Sequence, residues 1–160
     1  MKRNTMTAIR MLLAAAMMIF TSQAFAQNTA GADDGFRGAT YLITVTDAQG
    51  VFASRGVMTL HGDRTMSVID SGQGGPSFSF SSQLGAWKPD GKGRLVAKTL
   101  DFSFPSAGVA RLDYTIGFSA DRTRVTGTII LRAFPLQGEP LDGDGTVLGE
   151  FTFAGTFVAP

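Results

Sequence analysis

The stretch VARLDYTIGFS, Val109 to Ser119, decides the fold. Ala110, Leu112, Tyr114, Ile116 and Phe118 fall on one face, and Val109, Arg111, Asp113, Thr115 and Gly117 on the other. Strand side chains switch faces at every residue, so this is a strand with one buried face. A register one residue away would bury Arg111 and Asp113, and unpaired buried ions are strongly destabilising. The first set is therefore interior and Arg111 and Asp113 are exterior.

The same period of two extends in both directions. Upstream, Tyr41, Ile43 and Val45 alternate with Leu42, Thr44 and Thr46, and Asp47-Ala48-Gln49-Gly50 turns the chain into a strand over Val51–Leu60, kinked at Gly56. His61-Gly62-Asp63 leads to Thr65–Asp70, and a loop over Ser71–Ser77 leads to a strand with Phe78, Phe80 and Ser82 on one face. Pro89-Asp90-Gly91-Lys92-Gly93 is a turn. The long strand Arg94–Phe104 after it carries Leu100, Phe102 and Phe104 on the face taken as inward. Downstream, Val125, Gly127, Ile129 and Leu131 share a face, Pro135–Gly145 is the longest loop, and Phe151, Phe153, Gly155 and Phe157 share the last inward face. Beyond the leader, no segment shows an apolar stripe at helical spacing, and 20 glycines disfavour long helices. Eight or nine strands joined by short turns predict antiparallel pairing of sequence neighbours. The expected fold is all-β, a closed up-and-down barrel of about eight strands, with a two-sheet sandwich as the alternative.

The first residues read as an address. Lys2, Arg3 and Arg10 precede the apolar run Met11–Phe20, too short to span a bilayer, and Ala24-Phe25-Ala26 supplies small residues at a signal-peptidase site. The alternative is an uncleaved anchor. Residues 1–26 are thus expected to be a cleavable signal segment, 27–37 a flexible polar lead-in and 38–160 the barrel. Cleavage after Ala26 places the protein in the periplasm or the medium. It removes three of 14 basic groups and none of 13 acidic ones, which turns the net charge from +1 to −2. That leaves no basic patch for nucleic acid. The chain has no cysteine, which excludes disulfides, a Cys-ligated zinc, a cysteine nucleophile and a lipid-bearing N-terminal cysteine. With His61 as the single histidine, a histidine metal cluster or a Ser–His–Asp triad is not in prospect.

Gly85-Ala86-Trp87-Lys88-Pro89-Asp90-Gly91, then Leu100-Asp101-Phe102-Ser103-Phe104, Gly127-Thr128 and the closing Gly149-Glu150-Phe151-Thr152-Phe153-Ala154-Gly155 resemble small exported proteins with an allene-oxide-cyclase-like, calycin-type barrel. The resemblance covers residues 38–158. It implies a barrel, and for most exported bacterial members no stated activity. The cyclases of the group use a carboxylate and a bound water in an aromatic cavity, and none of their catalytic positions carries over residue by residue.

The candidate interior side chains are Tyr41, Trp87, Phe102, Phe104, Tyr114, Phe118, Phe151 and Phe153. Trp87 can stack on a ligand or plug one end of the barrel. Tyr41 and Tyr114 can present hydroxyls to a ligand or bond within the core. The phenylalanines can line a lipophilic pocket or fill a dry barrel. Asp142-Gly143-Asp144-Gly145 has oxygen ligands on a glycine-rich loop but not the full calcium-loop spacing, so a solvated turn is the plainer reading and no metal or cofactor is expected. Arg111 and Asp113, with Asp101 or Arg124 across the sheet, suggest an exterior charge ladder. His61 reads as a solvated turn residue.

Three functions remain. The first is a barrel that binds a small apolar ligand. The second is a cofactor-free cyclase or isomerase that uses Tyr114 and a carboxylate. The third is an outer-membrane barrel, disfavoured by Arg111 and Asp113 on the outer face. Binding leads because no catalytic constellation is visible in the sequence. No stable membrane association is expected after cleavage, and oligomerisation is left open. Mass spectrometry of the exported protein should find its N-terminus at Gln27, and an intact Met1 on exported protein would refute cleavage.

Overall fold

The computed structural model describes residues 36–73 and 79–160. The signal segment, most of the lead-in, Phe78 and the end of the Ser71–Ser77 loop lie outside the described residues. Among the described residues every regular element is a strand: β1 (Gly38–Asp47), β2 (Phe52–His61), β3 (Thr65–Asp70), β4 (Ser79–Phe80), β5 (Gln83–Pro89), β6 (Leu95–Phe104), β7 (Gly108–Phe118), β8 (Arg124–Pro135) and β9 (Thr146–Phe157).

Neighbouring strands pair antiparallel in the order β1-β2-β3-β5-β6-β7-β8-β9, and β9 returns to β1. The ring closes through Tyr41 opposite Phe157 and Val45 opposite Phe153. This is an eight-stranded up-and-down barrel, not a sandwich, with the two-residue β4 added beside β6. Short hairpin turns explain the order, and four of them are pinned by an aspartate that accepts from backbone N–H groups just downstream: Asp47, Asp63, Asp90 and Asp121.

The register of β7 agrees with its alternation. Leu112, Tyr114 and Ile116 are buried. They face Leu131, Ile129 and Gly127 on β8, and Thr99, Ala97 and Leu95 on β6. A Cβ at Gly127 would lie 2.6 Å from the Phe153 ring, so glycine there is what lets that ring fill the interior.

The interior is packed at one end. Tyr41, Leu60, Met66, Trp87, Leu95, Ile116 and Val125 form a buried cluster. Phe36, which the sequence reading assigned to the lead-in, packs edge-on against Trp87 with ring centroids 5.4 Å apart, and also touches Phe118. The Trp87 indole donates to the His61 carbonyl at 3.0 Å, and the Tyr41 hydroxyl donates to the Arg122 carbonyl at 3.0 Å. Burial raises the Tyr41 hydroxyl's pKa, opposed in part by the positive charge of Arg122.

Two expectations about faces are corrected. Phe102 and Phe104 point outward and are about half exposed, at 52% and 50%. Leu95, Ala97, Thr99 and Asp101 are the inward face of β6, so Asp101 is inside and not part of an exterior ladder. The cause is Lys98, which shares a face with Leu100, Phe102 and Phe104. One charged residue on β6 must face in, and a carboxyl group can become neutral there more cheaply than a lysine inside a sealed ring.

Arg111 is on the outer face as expected, yet it is 6% exposed. The Pro135–Gly145 loop folds over it. The Arg111 guanidinium donates to the carbonyls of Pro140 and Gly143, at 2.6 and 2.8 Å, and to Asp113, at 3.1 Å. Arg132 donates to Asp113 and to the Asp144 carbonyl, so the partner of Asp113 across the sheet is Arg132 and not Asp101 or Arg124. The carbonyls of Pro140, Gly143 and Asp144 are thus turned to arginines, and that of Leu141 to the Lys98 ammonium. Elsewhere on the exterior, Leu42, Val57 and Ile69 sit in register across β1, β2 and β3, and with Leu84 of β5 they are exposed apolar side chains.

Ile116→Ala should cost about 2–5 kcal/mol in urea melts, as for other truncated core residues. Thr115→Ala, on the outer face, should stay within about 0.5 kcal/mol. Equal losses would contradict the assigned faces.

Candidate functional site

The other half of the barrel is hollow. A cavity of about 500 Å³ lies between the inward faces and opens past Ser106 and Ala107 of the β6–β7 turn and Ala53 of β2, all exposed. Its walls include Val45, Leu112, Ile129, Leu131 and Phe151. The space exists because several inward positions at this end are small, among them Ser54, Ala110 and Ala133.

The polar groups converge from four strands. Gln83 on β5, Thr99 and Asp101 on β6, and Tyr114 on β7 are each buried, and Asp70 closes β3. The Tyr114 hydroxyl donates to Gln83 Oε1 at 2.6 Å, and Thr99 Oγ1 donates to the same oxygen at 3.0 Å. Both hydroxyl hydrogens are committed there. Complete burial pushes the Tyr114 hydroxyl far up, so it stays protonated. Asp70 accepts from Ser54 Oγ at 2.7 Å and from the Gly72 N–H at 2.8 Å.

Asp101 differs from these. It is 5% exposed, and its Oδ1 is buried without a hydrogen-bond partner. Desolvation first, and the negative charge of Asp70 second, raise its pKa from 3.8 to about 6. The turn aspartates go the other way. Hydrogen bonds from Ser119 and Thr123 hold Asp121 down to about 2, bonds from Thr65 lower Asp63, and bonds from Lys92 and Arg94 lower Asp90. A shielded carboxyl that titrates near neutrality, beside a cavity and without a structural partner, is a group poised for a ligand.

Comparisons of the chain with protein-family models, with curated proteins and with solved structures find no match. The chemistry of the cavity is therefore read from its own residues.

Of the candidate interior residues, Tyr114 and Phe151 line the cavity. Phe153 is buried beside Tyr114, with ring centroids 6.1 Å apart. Tyr41, Trp87 and Phe118 belong to the packed end, where Trp87 acts as a plug and Tyr41 as a core tyrosine bonded to backbone. Phe102 and Phe104 are outside. Asp70, Gln83 and Asp101 were not among the candidates. The signal for Asp101 was Lys98 on the opposite face. For Asp70 it was the alternation Met66, Val68, Asp70. Gln83 follows only once β5 is placed between β3 and β6.

Asp101 gives stability a pH dependence of definite sign. Its folded pKa lies above its unfolded value, so between about pH 4 and 6 the native state holds more of this proton than the unfolded chain does. Its contribution is therefore not destabilising below about pH 4, and it becomes increasingly so as pH rises through 6. Asp101→Asn should match the wild type in denaturant melts near pH 3.5 and exceed it at pH 8. A difference independent of pH would show that Asp101 is not desolvated.

Proposed function

We propose that this protein is an exported barrel that holds a small, mostly apolar molecule in the open half of its interior. The observation that carries this reading is the cavity: about 500 Å³, apolar along its walls, with Gln83, Asp101 and Tyr114 at its polar side. That volume lies in the range of small-molecule sites, and a few convergent polar groups in an apolar hollow are their usual composition. Each methylene transferred from water to such walls contributes about 0.8 kcal/mol, so a chain of modest length binds through its tail alone. Export rests on the basic, apolar and small-residue order of the first 26 residues. The resemblance to allene-oxide-cyclase-like barrels supports the same setting. Outward Lys88, Lys98, Asp113 and Arg132 weigh against a barrel set in a lipid bilayer.

A second reading, a cofactor-free isomerase or cyclase, is favoured by one specific observation. Tyr114 and the carboxyl of Asp101 line the same cavity, and Asp101 titrates near the pH at which a general acid or base is most effective. Binding stands first because the Tyr114 hydrogen is already given to Gln83. The two readings part on whether a bound molecule leaves chemically unchanged.

The neutral dye Nile red should bind at one molecule per chain with a blue shift in its emission. Ala110→Trp places an indole in the cavity, opposite Asp101, and should abolish that binding while the circular dichroism of the fold is retained. Dye binding that survives Ala110→Trp would put the site elsewhere.

A further inference from the structure

We infer that the ligand of the open half is an amphiphilic amine, its apolar tail along the cavity wall and its ammonium group at Asp101 and Asp70. The inference rests on the apolar-ligand reading above and adds the chemistry of the head group. Two carboxyl groups line this cavity, and no lysine, arginine or histidine is among the described residues around it. Asp101 is 5% exposed, and its Oδ1 meets no donor. The hydroxyls nearest it are committed, since Tyr114 and Thr99 both give their hydrogens to Gln83 Oε1. Ser54 gives its own to Asp70. The nearest outward cation on β7, Arg111, is taken by Asp113 and two loop carbonyls.

The pocket therefore presents negative charge and acceptor capacity that the protein leaves unanswered. Buried ions are tolerated when paired, and an incoming ammonium supplies both the opposite charge and three N–H donors. An alcohol of equal length brings one donor and no charge. A fatty acid brings a third carboxylate and is repelled. A hard divalent cation takes six or more oxygens, more than two carboxyl groups in an apolar hollow provide. The groups facing Asp101 are Asp70 from β3, Gln83 from β5 and, beyond Gln83, Tyr114 from β7, none of them a cation. Protonation of Asp101 thus leaves Asp70 as the one carboxylate at the site and weakens its attraction for an amine, with no compensating change nearby.

The test displaces Nile red from the folded protein with decylamine, decanol and decanoate at pH 7.5. Decylamine should displace the dye at a concentration about tenfold or more below that of decanol, as a charge-assisted hydrogen bond provides, and decanoate should be the weakest. Asp101→Asn should narrow the gap between decylamine and decanol by about threefold or more, each read against the variant's own dye affinity. In the wild type the gap between decylamine and decanol should narrow at pH 4.5, below the pKa of about 6 at Asp101. Equal potency of decylamine and decanol on the wild type overturns the proposal, and this comparison needs no variant to fold. An amine preference undiminished in Asp101→Asn, or calcium chloride displacing decylamine at matched ionic strength, overturns it as well. If Nile red binds but the amine has no advantage, the amine inference fails alone. If neither the dye nor any of the three chains binds, the apolar-ligand reading fails with it.

Discussion

The pairing of β9 with β1 closes the hydrogen-bonded ring, and the rest of the molecule follows from that closure. Eight strands fix the circumference, so the interior is filled only as far as inward side chains reach. At one end those side chains are Tyr41, Leu60, Met66, Trp87 and Ile116, and the space is solid. At the other they include Ser54, Ala110 and Ala133, and the ring is too wide for what lines it. The cavity is thus a consequence of where small residues fall along the strands of a ring that cannot contract.

Closure also governs the electrostatics. In an open sheet a carboxylate on the wrong face finds solvent by fraying or sliding. In a ring β6 is held on both sides, with Leu95 opposite Ile116 on one neighbour and opposite Pro89 on the other. Asp101 has no route outward. Its environment is set by the packing that fixes β6, with Asp70 near enough to reinforce its neutral form. Arg111 shows the complementary solution outside the ring. There a polar loop wraps the buried charge and satisfies it with carbonyls.

Much of this architecture is legible in the residues. The strict alternation of β7 assigns its faces because either error would bury an ion. The Asp-containing turns announce hairpins. The division of the interior into a packed and a hollow end was not legible, because Tyr41 and Tyr114 alternate in the same way and only the ring places one at each end. The faces of β6 were misread because hydrophobicity favours Leu100, Phe102 and Phe104. That reading weighed apolar area and overlooked Lys98, whose charge shares their face. Gln83 lacked a local signature, since its role comes from strands that meet only through β5, and Asp70 showed only its place in the Met66, Val68, Asp70 alternation. Phe36 was hidden for another reason: it follows a small, polar segment, and its contact with Trp87 depends on the end of the ring being there to receive it.

Trp87 is the chain's one tryptophan, and it sits in the packed end with its indole N–H bonded to the His61 carbonyl. It takes no part in the wall of the open cavity. Its intrinsic fluorescence is therefore a gauge of whether the barrel is intact, and it is nearly silent to a non-absorbing molecule entering from the far end. Unfolding can thus be followed in the unlabelled protein without interference from occupancy.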